Sequence, residues 1–363
     1  MTGRRKKQDS SASKYPKSVS LKTLAAFLKL SPTTISLVLN ESAAADAIPK
    51  ETKERVFAAA TKFNYRPNFF ARSLRNKKTC MIGVLIQDLG EGYGSLLISG
   101  IETVLREQQY LYLLATHHHR PELLDRYINS LMDRGVEGFI VIDTDLKQAL
   151  RLPTVAISGH RRLSGVTNIT LDQKGAAEQG LGHLVSLGHS RIVFIKGQSF
   201  SSDSEERWEC YMATAKEMGV QVYPELCVEL ESEDSSPQVG YPVMRRLLEK
   251  TRDFTAVFAY NDISAIGAIR ALTDVGLRVP EDVSVVGFDD IQSAAFHNPS
   301  LTTVRQPLRK MGGLAATTLL ERLSGTRDYL ETIAVEPELI IRESTRPASA
   351  GVWLAEPAAV HQK

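Results

Sequence analysis

The chain has 363 residues, 43% of them hydrophobic and 24% charged, which excludes an intrinsically disordered protein and favours two or three domains. It contains no apolar run of the roughly 20 residues that a membrane-spanning helix needs. Its basic start lacks the apolar segment of a signal peptide, so we expect a cytoplasmic protein. Three widely spaced cysteines fit neither a disulfide framework nor a zinc pattern.

The net charge of +2 conceals an uneven distribution along the chain. Residues 1–78 contain 17 Lys and Arg against 5 Asp and Glu, a net charge of +12, whereas the remainder carries a net charge of −10. A basic head on an acidic body indicates that the head binds a polyanion such as nucleic acid. A basic tail that only aids solubility is the alternative, but the charge continues through a helically patterned segment.

The first 78 residues predict a tail, three short helices and a linker. Residues 1–18 are polar and aperiodic, and we expect them to be disordered. Within residues 19–66, Ser20 can cap a first helix, and Ser31 can cap a second helix that begins with Pro32. A third helix is expected from about Glu51 to Asn64. Residues 67–78 are basic and predict a short linker helix.

From residue 79 onward, short apolar runs alternate with helical segments. Runs such as MIGVLI, FIVID and VSVVGFDD are apolar throughout, which is typical of buried parallel strands. About ten strands are too many for one sheet, so we predict an α/β core of two doubly wound lobes with a cleft between them. We assign residues from about 79 to 169 and from about 306 to 328 to lobe 1, residues from about 170 to 305 and from about 329 to 346 to lobe 2, and residues 347–363 to a flexible tail.

Several motifs, in order, resemble the lactose-repressor (LacI/GalR) family of bacterial regulators. They include SLKTLAAFLKLSPTTISLVLN, IPKETKERVFAAATKFNYRPN, ARSL, HLVSLGHSRIVFIKG, FAYNDISAIGAIRAL, VPEDVSVVGFDD and LTTVRQP. The resemblance extends from Ser18 to about Arg346. It implies an N-terminal all-α helix-turn-helix domain, a hinge helix, and a two-lobed core like that of a periplasmic binding protein. It also implies a homodimeric repressor of transcription that binds a palindromic operator in double-stranded DNA under the control of a small-molecule effector.

The resemblance implies that the second helix reads the major groove of DNA. Pro32, Thr33 and Leu37 hold the positions that approach base edges, and their largely apolar surfaces favour readout through thymine methyl groups and DNA shape. The full set of implied DNA contacts is Ser31, Pro32, Thr33, Thr34, Ser36, Leu37, Asn40, Arg66, Asn68, Arg72, Leu74 and Arg75. The short polar residues suit phosphate oxygens. The alternative role for Ser31 and Asn40 is helix capping.

Two further positions in this region have more than one interpretation. The resemblance implies that Leu74 wedges between base pairs from the minor groove, although it could instead pack two hinge helices together. Lys29 stands where the family commonly has glycine. A left-handed backbone there would cost lysine roughly 1 kcal/mol.

The implied effector site lies at the carboxyl ends of the strands. Its residues are Asp88, Tyr93, His118, Ser158, His160, Arg207, Asn261 and Asp289. Arg207, Asn261 and Asp289 together could hold vicinal hydroxyls or a carboxylate. Alternatively, Arg207 could pair with Glu206 or Asp203, Asn261 could cap the following helix, and Asp262 is expected to be a cap or hinge group. A sugar, a sugar acid or another small polar metabolite remain open as effectors, because many sugar-binding members have an acidic residue where Ser158 stands.

Other kinds of site are not supported by the sequence. Three adjacent histidines, His117 to His119, cannot all converge from a strand, so we predict no metal. No cofactor fingerprint or nucleophile motif is evident, so we predict neither a cofactor nor an enzyme. A ligand-binding protein without operator recognition and a non-specific DNA binder remain as alternatives. The segments SLLISGIETVL and LTTVRQP are candidate dimer interfaces, and the tail lacks the heptads of a tetramerisation helix.

Overall fold

The computed structural model describes residues 19–40, 42–65, 73, 78–90, 92–159, 161–199, 201–231, 239–326 and 328–348. The chain divides into two compact units, Met1–Thr79 and Cys80–Lys363. The predicted basic tail, nearly all of the hinge and most of the C-terminal tail lie outside the described residues. In the described part, no helix is both long and apolar enough to cross a membrane.

The first unit contains three helices around a small apolar core. They are α1 (Leu21–Leu28), α2 (Pro32–Leu39) and α3 (Lys50–Lys62), with a 3₁₀ turn at Ala43–Ala45. Its core consists of Leu24, Ala25, Leu28, Ile35, Val38, Val56 and Ala59. Both predicted N-caps are confirmed, since the hydroxyls of Ser20 and Ser31 accept hydrogen bonds from the backbone N–H groups of Thr23 and Thr34.

Lys29 ends α1 in a left-handed conformation, with φ +54°, and its N–H donates to the carbonyl of Ala25. Because glycine adopts this conformation without strain, we expect Lys29→Gly to stabilise α1 by about 0.5–1 kcal/mol. Amide hydrogen exchange of α1 in the full chain measures this change as slower exchange. The matched control is Ala26→Gly, within the same helix, which should have the opposite sign. Unchanged or faster exchange in Lys29→Gly would contradict the prediction.

The second unit contains twelve strands and eight α-helices among its described residues. The strands are β1 (Met81–Ile86), β2 (Leu111–Thr116), β3 (Gly138–Ile142), β4 (Thr154–Ile157), β5 (Val166–Leu171), β6 (Ile192–Lys196), β7 (Cys227–Glu229), β8 (Ala256–Phe258), β9 (Ser284–Asp289), β10 (Thr302–Arg305), β11 (Thr332–Val335) and β12 (Glu338–Ile340). The helices are α4 (Tyr93–Glu107), α5 (Pro121–Asp133), α6 (Gln173–Ser186), α7 (Ser202–Glu217), α8 (Gly240–Lys250), α9 (Asp262–Asp274), α10 (Gln292–Phe296) and α11 (Leu308–Ser324).

The strands form two six-stranded sheets, one in each lobe. The sheet of lobe 1 has the order β11-β5-β4-β3-β1-β2 and is parallel throughout. The sheet of lobe 2 has the order β12-β10-β9-β8-β6-β7, in which only β12 is antiparallel to its neighbour. Nearly every residue of the central strands is buried, as their continuous apolar runs predict. The predicted two-lobed, doubly wound core is therefore confirmed.

One segment lies in the other lobe from the one predicted. Strand β5 ends at Leu171, within two residues of the predicted boundary, whereas β11 pairs with β5 in lobe 1, although residues from about 329 to 346 were assigned to lobe 2. Strand β11 lies at the edge of its sheet, is only four residues long and is mostly accessible. Its sequence therefore lacks the long apolar run of a buried strand. The chain crosses between the lobes three times, after β5, after β10 and after β11.

The two segments suggested as dimer interfaces contribute to the core of the lobes. In SLLISGIETVL, Leu97, Ile101 and Leu105 are fully buried, whereas Leu96, Ile98 and Val104 are partly accessible. The segment LTTVRQP includes the inner strand β10, where Thr302 and Val304 are fully buried. The apolar side of α4 packs closely against α11. A Cβ atom on Gly312 would lie 2.1 Å from the carbonyl oxygen of Leu97, so only glycine allows this approach. Both segments therefore contribute to the core, and their part in a dimer interface stays a prediction.

Candidate functional site

A small polar cavity lies between the two lobes, at the carboxyl ends of strands from both sheets. Its volume is about 110 Å³. Five predicted effector residues, Asp88, Tyr93, Arg207, Asn261 and Asp289, line it together. The other lining residues are Ile86, Gln87, Gly90, Gly94, Asp143, Gln198, Ser201, Asp203, Val239, Tyr260, Ile263 and Gln306.

Arg207 projects from α7 and is held in place on every side. Its guanidinium carbon lies 3.7 Å from the centroid of the Phe288 ring and 4.7 Å from that of the Tyr260 ring. It donates to the Tyr260 carbonyl oxygen at 2.8 Å and to Gln173 Oε1 at 3.2 Å. The carboxylate of Asp203 lies 3.6 Å away, so the predicted alternative of an ion pair is present as well. These contacts hold the Arg207 guanidinium in one position before a ligand binds.

Asp289 ends β9 with a positive φ of +110° and is 6% exposed. It accepts a hydrogen bond of 2.5 Å from Gln306 Nε2. Burial raises the pKa of its carboxyl to about 7, against the opposing effects of Arg207 and of this hydrogen bond. The other polar atom of the Gln306 side chain, Oε1, is buried without a hydrogen-bond partner. The cavity therefore contains a carboxyl group with a pKa of about 7, that of Asp289, and a buried acceptor without a hydrogen bond, Gln306 Oε1.

Asn261 has two roles that are compatible with each other. Its Oδ1 accepts from the backbone N–H of Ser264 at 2.8 Å and, with the Ser264 hydroxyl, forms a capping box at the start of α9. The predicted capping alternative is therefore confirmed. The side-chain nitrogen takes no part in this cap, and the residue also lines the cavity.

Asp262, the next residue, is fully buried and does not line the cavity. It accepts hydrogen bonds from the Ile291 N–H at 2.9 Å and from Thr303 Oγ1 at 2.6 Å. Burial raises the pKa of its carboxyl well above the usual value. Asp262 thus ties α9 to β10 and to the loop that follows Asp289, as a structural group.

The lobe 1 side of the cavity contains Asp88 and Tyr93. Burial raises the pKa of the Tyr93 phenol well above its usual value, and the nearby carboxylates of Asp203 and Asp143 add to this effect. The phenol is therefore a neutral donor, and it donates to Ser158 Oγ at 3.3 Å. Ser158 does not line the cavity itself, and its contact with the effector stays a prediction.

His118, a predicted effector residue, does not line this cavity. The backbone turns left-handed at His118, with φ +48°, and the ring bonds back to Thr116 Oγ1 at 3.2 Å instead of lining the cavity. Its neighbour His117 is buried and bonds to Thr144 Oγ1 at 3.0 Å. His160 lies outside the described residues. Among the described residues, no group of three potential ligands could hold a metal ion.

Sequence reasoning missed seven polar residues of the cavity. They are Gln87, Asp143, Gln198, Ser201, Asp203, Tyr260 and Gln306. Five of them lie within two residues of the carboxyl end of a strand, namely Gln87, Asp143, Gln198, Tyr260 and Gln306. The strand-end rule, by which ligands bind at the carboxyl ends of parallel strands, would have found these five if applied to every predicted strand. The first turn of α7, which carries Asp203, is marked by no comparable signal.

In the first unit, α2 carries the residues that are predicted to approach base edges. Pro32 and Thr33 are exposed and Leu37 is half-buried, whereas Ile35 and Val38 face the core. Thr33 and Leu37 are four residues apart and so share one face of the helix.

The short polar residues of α2 also serve the helix itself. The Ser31 hydroxyl bonds to Thr34, and Asn40 Nδ2 donates to the Ser36 carbonyl at 2.7 Å. These capping bonds do not prevent the same groups from contacting phosphates. The remaining predicted DNA contacts, Arg66, Asn68, Arg72, Leu74 and Arg75, lie outside the described residues.

Comparisons with known protein families agree with this division. The family described as "Bacterial regulatory proteins, lacI family" matches residues 20–68, and a periplasmic binding protein-like domain matches residues 181–345. The HTH-type transcriptional repressor PurR of Haemophilus influenzae is 32% identical over 339 residues, covering 90% of this chain and 98% of the relative. PurR of Mannheimia succiniciproducens is also 32% identical, over 335 residues, which cover 90% of this chain and 98% of that relative.

Solved structures of similar shape are regulators of the same kind. The lac repressor dimer bound to operator and the anti-inducer ONPF has a TM-score of 0.82 and 26% identity, covering 91% of this chain and all of that chain. The regulator CelR in complex with cellobiose has a TM-score of 0.66 and 27% identity, covering 90% of this chain and 99% of that chain. The chain therefore belongs to the lacI family of bacterial regulatory proteins and is a DNA-binding transcriptional repressor, not an enzyme.

Proposed function

We propose that this repressor acts in the cytoplasm as a homodimer, and that a small polar effector in the cavity between the lobes sets its affinity for a palindromic operator. The observation that carries the proposal is the convergence of Arg207, Asn261 and Asp289 on one cavity at the carboxyl ends of the strands. Fixed donors and acceptors of this kind suit the hydroxyls of a carbohydrate or carbohydrate derivative.

The size of the cavity and the similar proteins support a small carbohydrate. Its volume of about 110 Å³ is well below the roughly 300 Å³ at which sites for drug-sized ligands begin, so a single small ring is favoured over a longer saccharide. A lacI-family regulator of Enterococcus faecium, with 26% identity and a TM-score of 0.65, was solved with bound ribose. It covers 74% of this chain and all of that chain.

The effector groups are bonded to the segments that join the lobes. Arg207 donates to Gln173 at the first crossing, and Asp289 accepts from Gln306 at the second. The next residue, Asp290, pairs with Arg305 at 2.7 Å, and Arg305 also pairs with Glu338 at the third crossing. A ligand that binds Arg207 and Asp289 thus contacts groups bonded to the first two crossings, and the neighbouring Asp290 is connected through Arg305 to the third. We propose that its differential affinity for two lobe arrangements, typically worth 1–3 kcal/mol of coupling, controls DNA binding.

The proposal is tested by selecting preferred sites from random duplexes with the purified full chain, then measuring affinity for the selected site with and without a metabolite panel at fixed salt. We expect a palindromic site with a flexible pyrimidine–purine step at its centre, and a metabolite that changes the affinity. Salt-sensitive binding without an enriched sequence would reject operator recognition. It would leave the alternative of a ligand-binding protein that shares the core fold.

The residues of α2 make a separate prediction about specificity. Because Leu37 and Thr33 share one face of α2, we propose that they contact base edges. Leu37→Ala should relax discrimination at individual base pairs by about 1–3 kcal/mol. Repeating the site selection with this variant measures the effect. Thr61→Ala on α3 is the control, since the Thr61 hydroxyl bonds to its own helix. An unchanged motif from both Leu37→Ala and Thr33→Ala would show that α2 does not read these bases.

A further inference from the structure

We propose that a second cavity, which lies within lobe 2, binds a small-molecule oxyanion in the form of a phosphate ester or a carboxylate. This lobe 2 cavity is lined by the loops that precede β6, β8 and β9 and by residues that follow β12. It therefore lies at the amino ends of the parallel strands, whereas the effector cavity lies at the carboxyl ends. Because the two sites are separate, the inference goes beyond the proposed function and does not rest on it.

The lobe 2 cavity is large enough to hold a metabolite. Its volume is about 550 Å³, which falls in the range of roughly 300–1,000 Å³ that is typical of small-molecule sites. Phe254, Leu277 and Pro280 contribute carbon atoms to the lining beside the charged groups. An organic anion suits this mixture better than a bare inorganic ion, because the ion would leave most of the volume and the apolar groups to water.

Four arginines line the lobe 2 cavity, and two of them are already paired with carboxylates of the same lining. Arg191 Nη2 lies 2.9 Å from Asp253 Oδ2, and Arg278 Nη2 lies 2.8 Å from Asp282 Oδ1. Each pair is neutral as a whole. The charge that a ligand meets is therefore decided by the other ionic groups of the lining.

These other groups are Arg252, Arg346 and Glu281. Neither arginine forms an ion pair within the described part of the chain, although the charge of Arg346 does act on the carboxylate of Asp282. Glu281 is exposed, and burial lowers the pKa of His189, so that its imidazole adds no charge near pH 7. Four guanidiniums against three carboxylates leave an excess of one positive charge, which favours an anion over a cation.

Arg252 is the residue of this lining that most requires an acceptor. Its side chain is half-buried, its Nε is fully buried, and the described residues supply no hydrogen-bond acceptor for that nitrogen. A guanidinium only donates, so its unused N–H groups favour a ligand that accepts. A phosphate or a carboxylate offers two oxygens in the geometry of the guanidinium fork, together with a compensating negative charge. A neutral sugar offers hydroxyl oxygens without the charge.

The experiment titrates the full chain with compounds that share one sugar ring and differ in one group. Glucose 6-phosphate, glucuronate and glucose represent the phosphate ester, the carboxylate and the neutral compound, and inorganic phosphate is the probe for the anion alone. Calorimetry at fixed salt is expected to show at least one of the two organic anions binding about tenfold or more tightly than glucose. The tighter of the two identifies the kind of oxyanion. The same titrations in Arg207→Lys exclude the effector cavity as the place of binding.

Three variants connect the binding to the lobe 2 cavity. Arg252→Gln should weaken anion binding at least about tenfold, and it leaves no carboxylate unpaired, since Arg252 forms no ion pair within the described residues. Glu281→Gln should tighten binding about two- to fivefold, because it removes an exposed carboxylate from the same lining. Arg270→Gln on α9 is the control, since Arg270 pairs with Asp274 and lines neither cavity.

The inference is supported by anion binding that Arg252→Gln weakens, Glu281→Gln tightens and Arg207→Lys leaves intact. Binding that is lost in Arg207→Lys but retained in Arg252→Gln would place the anion in the effector cavity, so the inference would be overturned while the proposed function stands. Equal losses in Arg252→Gln and Arg270→Gln, or no binding by any of the three anions, would overturn it as well. If Arg252→Gln does not fold, as judged by circular dichroism, an unchanged affinity in Glu281→Gln has the same meaning.

Discussion

Lysine in place of Arg207 is expected to abolish the response of operator binding to the effector while leaving operator binding itself intact. Arg207 makes planar contacts with two aromatic rings and directs three nitrogens at Tyr260, Gln173 and Asp203. Lysine keeps the charge but has neither the planar group nor its fixed fork of donors. We expect the effector affinity to fall at least about 100-fold, which corresponds to roughly 3 kcal/mol.

The measurement is calorimetric titration with the identified effector, together with operator affinity at fixed salt. The DNA-binding helices belong to a separate compact unit, so operator affinity without effector should stay within about threefold of the unsubstituted chain. Arg270→Lys on the exposed side of α9 is the control, because its partner there is Asp274 and it lies outside the cavity lining. Retention of effector affinity in Arg207→Lys, with a normal circular dichroism spectrum, would remove Arg207 from the proposed site.

Asp289→Asn is expected to stabilise the core and to weaken effector binding at the same time. Burial raises the pKa of the folded carboxyl to about 7, above its ordinary value of 3.8. Between these two values the folded chain keeps a proton that the unfolded chain releases. The stability of the unsubstituted chain therefore falls as the pH rises through this window, by up to about 1.4 kcal/mol per unit. Asparagine does not titrate and retains an oxygen that can accept from Gln306.

Urea unfolding followed by tryptophan fluorescence, at pH 5 and pH 8, measures this effect. The variant should be more stable than the unsubstituted chain, by about 2 kcal/mol more at pH 8 than at pH 5. Asp145→Asn, where the exposed side chain pairs with Arg161, is the control. A stability difference that is independent of pH would mean that Asp289 does not titrate in this range. If Asp289→Asn is more stable but no longer responds to the effector, the Asp289 carboxyl serves effector binding at the expense of stability.

Much of the architecture follows from local patterns. The caps at Ser20 and Ser31 follow from residue type and position, because a hydroxyl before a helical run can accept from an unpaired backbone N–H. The buried parallel strands follow from uninterrupted apolar runs. The strand-end rule correctly placed Asp88, Asn261 and Asp289 at the cavity, since it depends only on topology.

Other features are decided by contacts between residues far apart in the chain. Strand β11 belongs to lobe 1 because it pairs with β5 at the edge of that sheet. His118 does not line the cavity because the backbone turns left-handed at this residue. Gln306 meets Asp289, and Arg207 meets Gln173, across 17 and 34 residues.

The sequence by itself determined the helix-turn-helix head, the two-lobed core and the family. Helix caps, hydrophobic periodicity and ordered motifs depend on residues that lie close together in the chain, so they follow from the sequence without the tertiary structure. The tertiary structure alone decided the acidic character of the cavity, the raised pKa of Asp289 and the unpaired oxygen of Gln306. These properties depend on burial and on which side chains converge. They arise only when the two sheets bring their strand ends together.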